Sequence, residues 1–196
     1  MRTTLRTAGV AVRAMLVFTV LLGVGYMLLI TGIGQLALPA QANGSLVRSA
    51  DGAVVGSSLI GQSFQDADGQ ALPQYFQSRP SSAGDGYDSA ASSGSNLGPE
   101  NEDLIASISD RAEASRLLDG AGTIPADAVT ASGSGLDPDI SVANAERQVA
   151  RVAEARGIPA ADVEALVAEH TLPRDLGFLG DPRVNVLELN RALDAR

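Results

Sequence analysis

The sequence predicts a mixed α+β extracytoplasmic domain anchored by one N-terminal transmembrane helix. Three observations carry that prediction. Residues 14–38 contain no charged side chain and are rich in Leu, Val, Ile and Met. Arg2, Arg6 and Arg13 precede this run, with no acidic residue among them. Behind it, short apolar pairs punctuated by Gly and Asp give way to stretches with helical spacing. At 196 residues and 20.0 kDa, the chain suits one ordinary folded domain plus a short appendage.

As a helix, the 25 uncharged positions would measure about 37 Å at ~1.5 Å per residue, enough for a bilayer core of about 30 Å. The positive-inside rule sets the orientation: residues 1–13 form a short cytoplasmic N-terminus, 14–38 the membrane helix, and 39–196 an extracytoplasmic domain. Ala40-Gln41-Ala42 has the small-x-small form of a signal-peptide cleavage site, but the apolar run far exceeds a signal h-region of roughly 7–15 residues. Thr19 with Gly23, and Gly25 with Gly32, place small residues at four- and seven-residue spacing. Helix contacts within membranes use such spacings, although membrane helices also carry more glycine in general.

Past the anchor, Leu46-Val47, Val54-Val55 and Leu59-Ile60 read as short strands separated by Asp51-Gly52 and Gly56. Tyr75-Phe76 forms another extended piece before Arg79-Pro80. Residues 81–98, dominated by Ser, Gly and Ala, read on composition as a flexible linker. A helix over 101–119 follows from Leu104, Ile108 and Ala112, with acids in its first turn and Gly120 as its stop. Residues 129–139 read as a loop after a short strand. Ser141 caps a helix that ends near Gly157, with Ala145, Val149, Val152 and Ala153 on its apolar face. Pro159 opens the next helix, striped by Val163, Leu166 and Val167. After a possible strand start at Val184, Leu187, Leu189, Ala192 and Leu193 predict a C-terminal helix.

Composition narrows the chemistry. All 14 basic residues are Arg and there is no Cys, which excludes lysine Schiff bases, a P-loop lysine, thiol nucleophiles and thiolate metal sites on this chain. Beyond the anchor, 11 basic residues face 23 acidic ones, a formal −12 that repels nucleic acid and anionic lipid. His170 is the only imidazole, and Ser132-Gly133-Ser134-Gly135 has the wrong phase for a nucleophile elbow, so His170 reads as a helix-end cap. Asp137 and Asp139 lack the EF-hand spacing and read as turn and capping residues. No catalytic or metal-binding constellation is expected, and Gln148 reads locally as a partly exposed helical glutamine. These features alone stop at a membrane-anchored outer domain, for which a membrane-anchored extracytoplasmic solute-binding protein is the alternative reading. A secreted serine hydrolase would have to depend on His170 and one serine.

More specific strings recur in order along the chain. They are Thr31-Gly32-Ile33-Gly34-Gln35, Gln41-Ala42-Asn43-Gly44-Ser45-Leu46, Gly56-Ser57-Ser58-Leu59-Ile60-Gly61-Gln62 with Phe64, and Tyr75-Phe76 with Arg79-Pro80-Ser81. Further on stand Ser93-Gly94-Ser95-Asn96-Leu97, Val129-Thr130-Ala131-Ser132-Gly133-Ser134-Gly135-Leu136-Asp137, and Val184-Asn185-Val186 with Leu189-Asn190. On these strings the chain resembles the KdpC family, the C subunits of the Kdp-type potassium-transporting P-type ATPase. It departs from the family pattern at Met27, Glu100 and Val142, where Pro, Ser and Pro are usual.

The resemblance implies an accessory, non-hydrolysing subunit. Its partners would be a K⁺-channel-like subunit, an ATP-hydrolysing P-type subunit and a small membrane peptide. It also makes residues 81–98 an ordered loop. It implies no tightly bound cofactor, a catalytic-chaperone role that raises the pump's affinity for ATP, and nucleotide contact at Gln148. That last implication conflicts with the charge bias, which puts Gln148 outside the cell, whereas ATP is inside.

Overall fold

A computed structural model describes residues 2–49 and 51–196, with mixed helix and sheet and one N-terminal apolar helix. The chain divides into a first unit ending at Leu46 and a second, Val47–Arg196.

Most of the first unit, Arg2 to Ala37, is one continuous helix with a change of winding. It runs as α1 (Arg2–Phe18), a π-helical segment (Thr19–Tyr26) and α2 (Met27–Ala37), and buries none of its described side chains. The stretch Thr4–Ala37, 34 residues, is long and apolar enough to cross a membrane, at about 51 Å if wound at ~1.5 Å per residue. Leu38 leaves the helical region, and Pro39 opens the single turn α3 (Pro39–Ala42). Asn43 then ties this turn back to the helix, since its Nδ2 donates to Gln35 Oε1 (3.0 Å) and to the Pro39 carbonyl (2.6 Å).

β1 (Leu46–Arg48), which starts at the last residue of the first unit, pairs with β2 (Val54–Ser57) at the start of the second. An irregular stretch leads to α4 (Glu102–Asp119), α5 (Ala126–Val129), β3 (Asp139–Ser141), α6 (Val142–Arg156) and α7 (Ala160–Glu169). β4 (Thr171–Leu172), β5 (Arg183–Asn185) and α8 (Val186–Asp194) complete it. β5 lies between β3 and β4 in an antiparallel sheet, with Val184 opposite both Ile140 and Thr171. Ile140 and Val184 join Val149, Val152, Val163, Leu166, Val167, Leu189 and Leu193 in the core, so α6, α7 and α8 bury their apolar stripes together.

Local signals place most helix ends. The Asn101 side chain accepts from the Asp103 and Leu104 amides, Ser141 Oγ accepts from the Asn144 amide, and Gly157 closes α6 in the left-handed region at φ 65°. Three expectations need correction. Leu59-Ile60 is a turn, not a strand. No strand precedes the 129–139 loop; α5 stands there instead, because Asp127 accepts from the Ser141 amide, Ser141 Oγ and Asn144 Nδ2 and draws its own turn against the start of α6. Residues 81–98 are no linker on composition's terms, since they pack on 133–135. Ser81 Oγ donates to Gly135 O and the Ser93 amide to Ser134 O, while Ala83 is fully buried. A side chain at Gly135 (φ 68°) would place its Cβ 2.6 Å from Ser93 O.

Candidate functional site

The polar centre of the second unit is built on α6. Asn144, Gln148 and Arg151 recur at i, i+4 and i+7 beside the apolar Ala145, Val149 and Val152 stripe, and all three are buried. That polar row is legible in the sequence at helical spacing.

The row faces a strap, residues 73–79, that belongs to no strand or helix. Gln148 treats the strap as a sheet neighbour would. Its Oε1 accepts from the Gln77 amide (2.7 Å), and its Nε2 donates to the Gln77 carbonyl (3.2 Å). From α8, Asn190 does the same for the preceding residue: Oδ1 accepts from the Phe76 amide (2.8 Å) and Nδ2 donates to the Phe76 carbonyl (2.9 Å). Two carboxamides thus replace two β-ladder rungs, and Phe76 inserts fully into the core.

Arginines secure the rest. Arg151 Nη1 donates to the Pro73 and Tyr75 carbonyls, its Nη2 to Gln148 Oε1, and its Nε pairs with Asp119 at 2.7 Å, both side chains being 7% exposed. Arg156 Nε donates to Gln74 O, its Nη2 pairs with Asp194, and its guanidinium stacks 5.0 Å from the Tyr75 ring centroid. Arg79, at the end of the strap, pairs with Asp137 at 2.9 Å. Asn190, Arg151, Arg156 and Asp119 were missed as site residues. Their partners lie far away in sequence, and of the four only Asn190 falls within a string that carries the family resemblance.

Gln148 is 3% exposed, and both its acceptor pairings and both its donor hydrogens are engaged, the second donor bond going to Asn144 Oδ1 at 3.1 Å. The local expectation of a partly exposed glutamine is therefore corrected. Gln148 also borders a cleft of about 260 Å³, which Arg111, Tyr87, Ser115 and Leu118 line as well. Ligand pockets run from about 300 to 1,000 Å³. Burial pushes the Tyr87 hydroxyl up to about 12, against the smaller opposing effect of Arg111's charge, and it donates to Arg79 O at 2.6 Å.

Elsewhere the expected residues take structural parts. His170 caps α7, its Nδ1 3.0 Å from Leu166 O. Asp137 accepts from the Asp139 amide as well as from Arg79. Asp139 pairs with Arg183 at 3.1 Å, and burial holds its carboxyl above the ordinary value. Among the described residues no group of three or more His, Cys, Asp and Glu is placed to hold a metal ion. On the first unit, Thr19 and Gly23 line one shallow depression with Ala14, Met15, Phe18 and Leu22; Gly25 and Gly32 lie outside it.

The profile of the family described as "KdpC: K+-transporting ATPase, c chain" matches residues 8–195. A Caulobacter vibrioides protein named "Potassium-transporting ATPase KdpC subunit" is 60% identical over 186 residues, covering 95% of this chain and 91% of its own length. Proteins of the same name from Gemmatimonas aurantiaca and Mycobacterium tuberculosis are 58% and 55% identical. They cover 97% and 94% of this chain, and 92% and 95% of their own lengths.

Proposed function

Because the chain belongs to the KdpC family, the c chain of the K⁺-transporting ATPase, we propose that it acts as the accessory, non-hydrolysing assembly subunit of an ATP-driven K⁺ uptake complex. The family match over residues 8–195 carries this reading. Residues 1–13 are cytoplasmic, 14–38 cross the membrane, and 39–196 are extracytoplasmic, as the arginine bias before the apolar helix supports. In the membrane the helix packs on its partners, a K⁺-channel-like subunit, an ATP-hydrolysing P-type subunit and a small membrane peptide. The Thr19 and Gly23 depression is the face with room for a neighbouring helix, and Gly25 and Gly32 offer a second small-residue row.

In this reading the chaperone effect on ATP affinity passes through the assembled complex, and Gln148 acts as a positioning residue that holds the strap. The second reading, direct contact between Gln148 and ATP, is favoured by the cleft that Gln148 borders. It requires the Gln77 pairing to open and the second unit to face the cytoplasm.

One experiment separates the two. Ser109, exposed on α4, is replaced by Cys in this cysteine-free chain and exposed to a membrane-impermeant thiol reagent in intact and lysed cells. Labelling in intact cells is expected. Labelling only after lysis would reverse the orientation and favour nucleotide contact.

A further inference from the structure

The segment between β4 and β5 holds its large apolar side chains away from the core. Leu176 is 83% and Phe178 69% exposed, and Leu172 and Leu179 flank them, also exposed. This is not a loose loop. Asp175 and Leu179 exchange both backbone hydrogen bonds, at 3.0 and 2.9 Å, and Gly177 N donates to Arg174 O. Ion pairs brace the base: Arg174 to Asp181 at 2.7 Å, and Arg183 to Asp175 at 3.5 Å. Leu176 sits at φ 53°, a left-handed conformation that a leucine rarely adopts, and the turn holds it there in solvent. A braced turn that strains its backbone to display Leu176 and Phe178 has the form of a binding anchor.

We propose that this tip, residues 172–179, docks into an apolar socket on an extracytoplasmic surface of a membrane-embedded partner subunit of the same ATPase. The proposal rests on the subunit role and orientation given above, and it adds the face through which the second unit meets its partner. Charge selects the occupant. A loop that enters lipid couples apolar side chains to unpaired basic ones. Here both nearby arginines are engaged, Arg183 also with Asp139 at 3.1 Å. All 23 acidic residues follow the anchor, a balance that anionic headgroups repel. A neutral, rigid apolar knob fits a protein pocket instead, where its ordering entropy is already spent.

The test uses the full chain co-expressed with the other ATPase subunits and purified through a tag on this chain in mild detergent. A benzoylphenylalanine photocrosslinker replaces Phe178 in one version and Ser109 in another. The expected result is an adduct at 178, identified by mass as a co-expressed ATPase subunit and at least about fivefold above that at 109. In parallel, the Leu176→Asn/Phe178→Ser double variant should lower partner recovery about tenfold, the loss expected from one buried aromatic anchor, with its urea midpoint unchanged. Adducts only with lipid, only with a second copy of this chain, or absent while partners still co-purify would overturn the tip as the docking face and leave the subunit role standing. A wild-type chain that recovers no ATPase subunit would overturn both.

Discussion

The strap at residues 73–79 and the tip at 172–179 are both short and irregular, yet they are ordered by opposite means. In the strap, side chains from α6 and α8 satisfy the backbone, and Phe76 goes inward. In the tip, the backbone satisfies itself through the Asp175–Leu179 pairing, and the apolar side chains face out. The strap therefore borrows its shape from residues 71 to 114 positions away, whereas the tip carries its shape within a few residues. Damage to the strap should register as lost stability, and damage to the tip as lost association.

The sharpest way to break that contrast is Arg151→Ala. It leaves Asp119 buried without its cation and strips a donor from the Pro73 and Tyr75 carbonyls, so a loss of about 3–5 kcal/mol is expected. Urea unfolding of the detergent-solubilised chain, followed by near-UV circular dichroism, measures it; a loss below about 1 kcal/mol would show that the strap does not depend on the clamp. Gln148→Ala is next. It orphans the Gln77 amide and carbonyl for about 2–3 kcal/mol, and hydrogen exchange at the Gln77 amide should accelerate while that at core α7 amides changes less.

A smaller effect is expected from pH. The Tyr87 hydroxyl, bonded to the strap's Arg79 carbonyl, holds its proton up to about 12, above its unfolded value of about 10. Its contribution is complete below pH ~10 and is lost as pH rises through about 12. Melting temperatures from pH 9 to 12 should fall more steeply in the wild type than in Tyr87→Phe. Smallest of all is Leu176→Asn, because Asn tolerates the left-handed region and no core contact is removed. Its unfolding free energy should stay within about 0.5 kcal/mol of the wild type, and a larger loss would make the tip structural.

The same division separates what the sequence discloses from what it conceals. Asn101, Ser141, Gly120 and Gly157 mark helix ends because capping is settled within three or four residues. The N-terminal helix is equally legible from its long uncharged apolar run, and α6, α7 and α8 from their periodic stripes. The strap is not, since nothing around Tyr75-Phe76 announces that a glutamine and an asparagine more than 70 positions on will serve as its ladder. α5 escaped for a related reason: Asp127 bonds forward to Ser141 and Asn144, and that tie, rather than local propensity, shapes its turn. In the candidate site the resemblance points to Gln148 as a contact residue, while Arg79, Asp137 and Asn190 stand in its strings without a role, and the fold supplies their pairings.

The carboxamide pairing of Phe76 with Asn190 also has a consequence in time. A ribosome makes Phe76 114 residues before it makes Asn190, which lies in the last helix. Until then the strap can have only the Gln148 rung at Gln77, and the core that receives Phe76 lacks the side chains of α8. At about 5–20 residues per second, the delay lasts several seconds or more. The second unit thus closes from its tail, and its maturation is timed by the arrival of α8. A stalled or clipped chain lacking that helix would carry an intact N-terminal helix with a strap latched at Gln77 alone, a form that quality-control proteases could recognise by its looser Phe76 before a transport complex incorporates it.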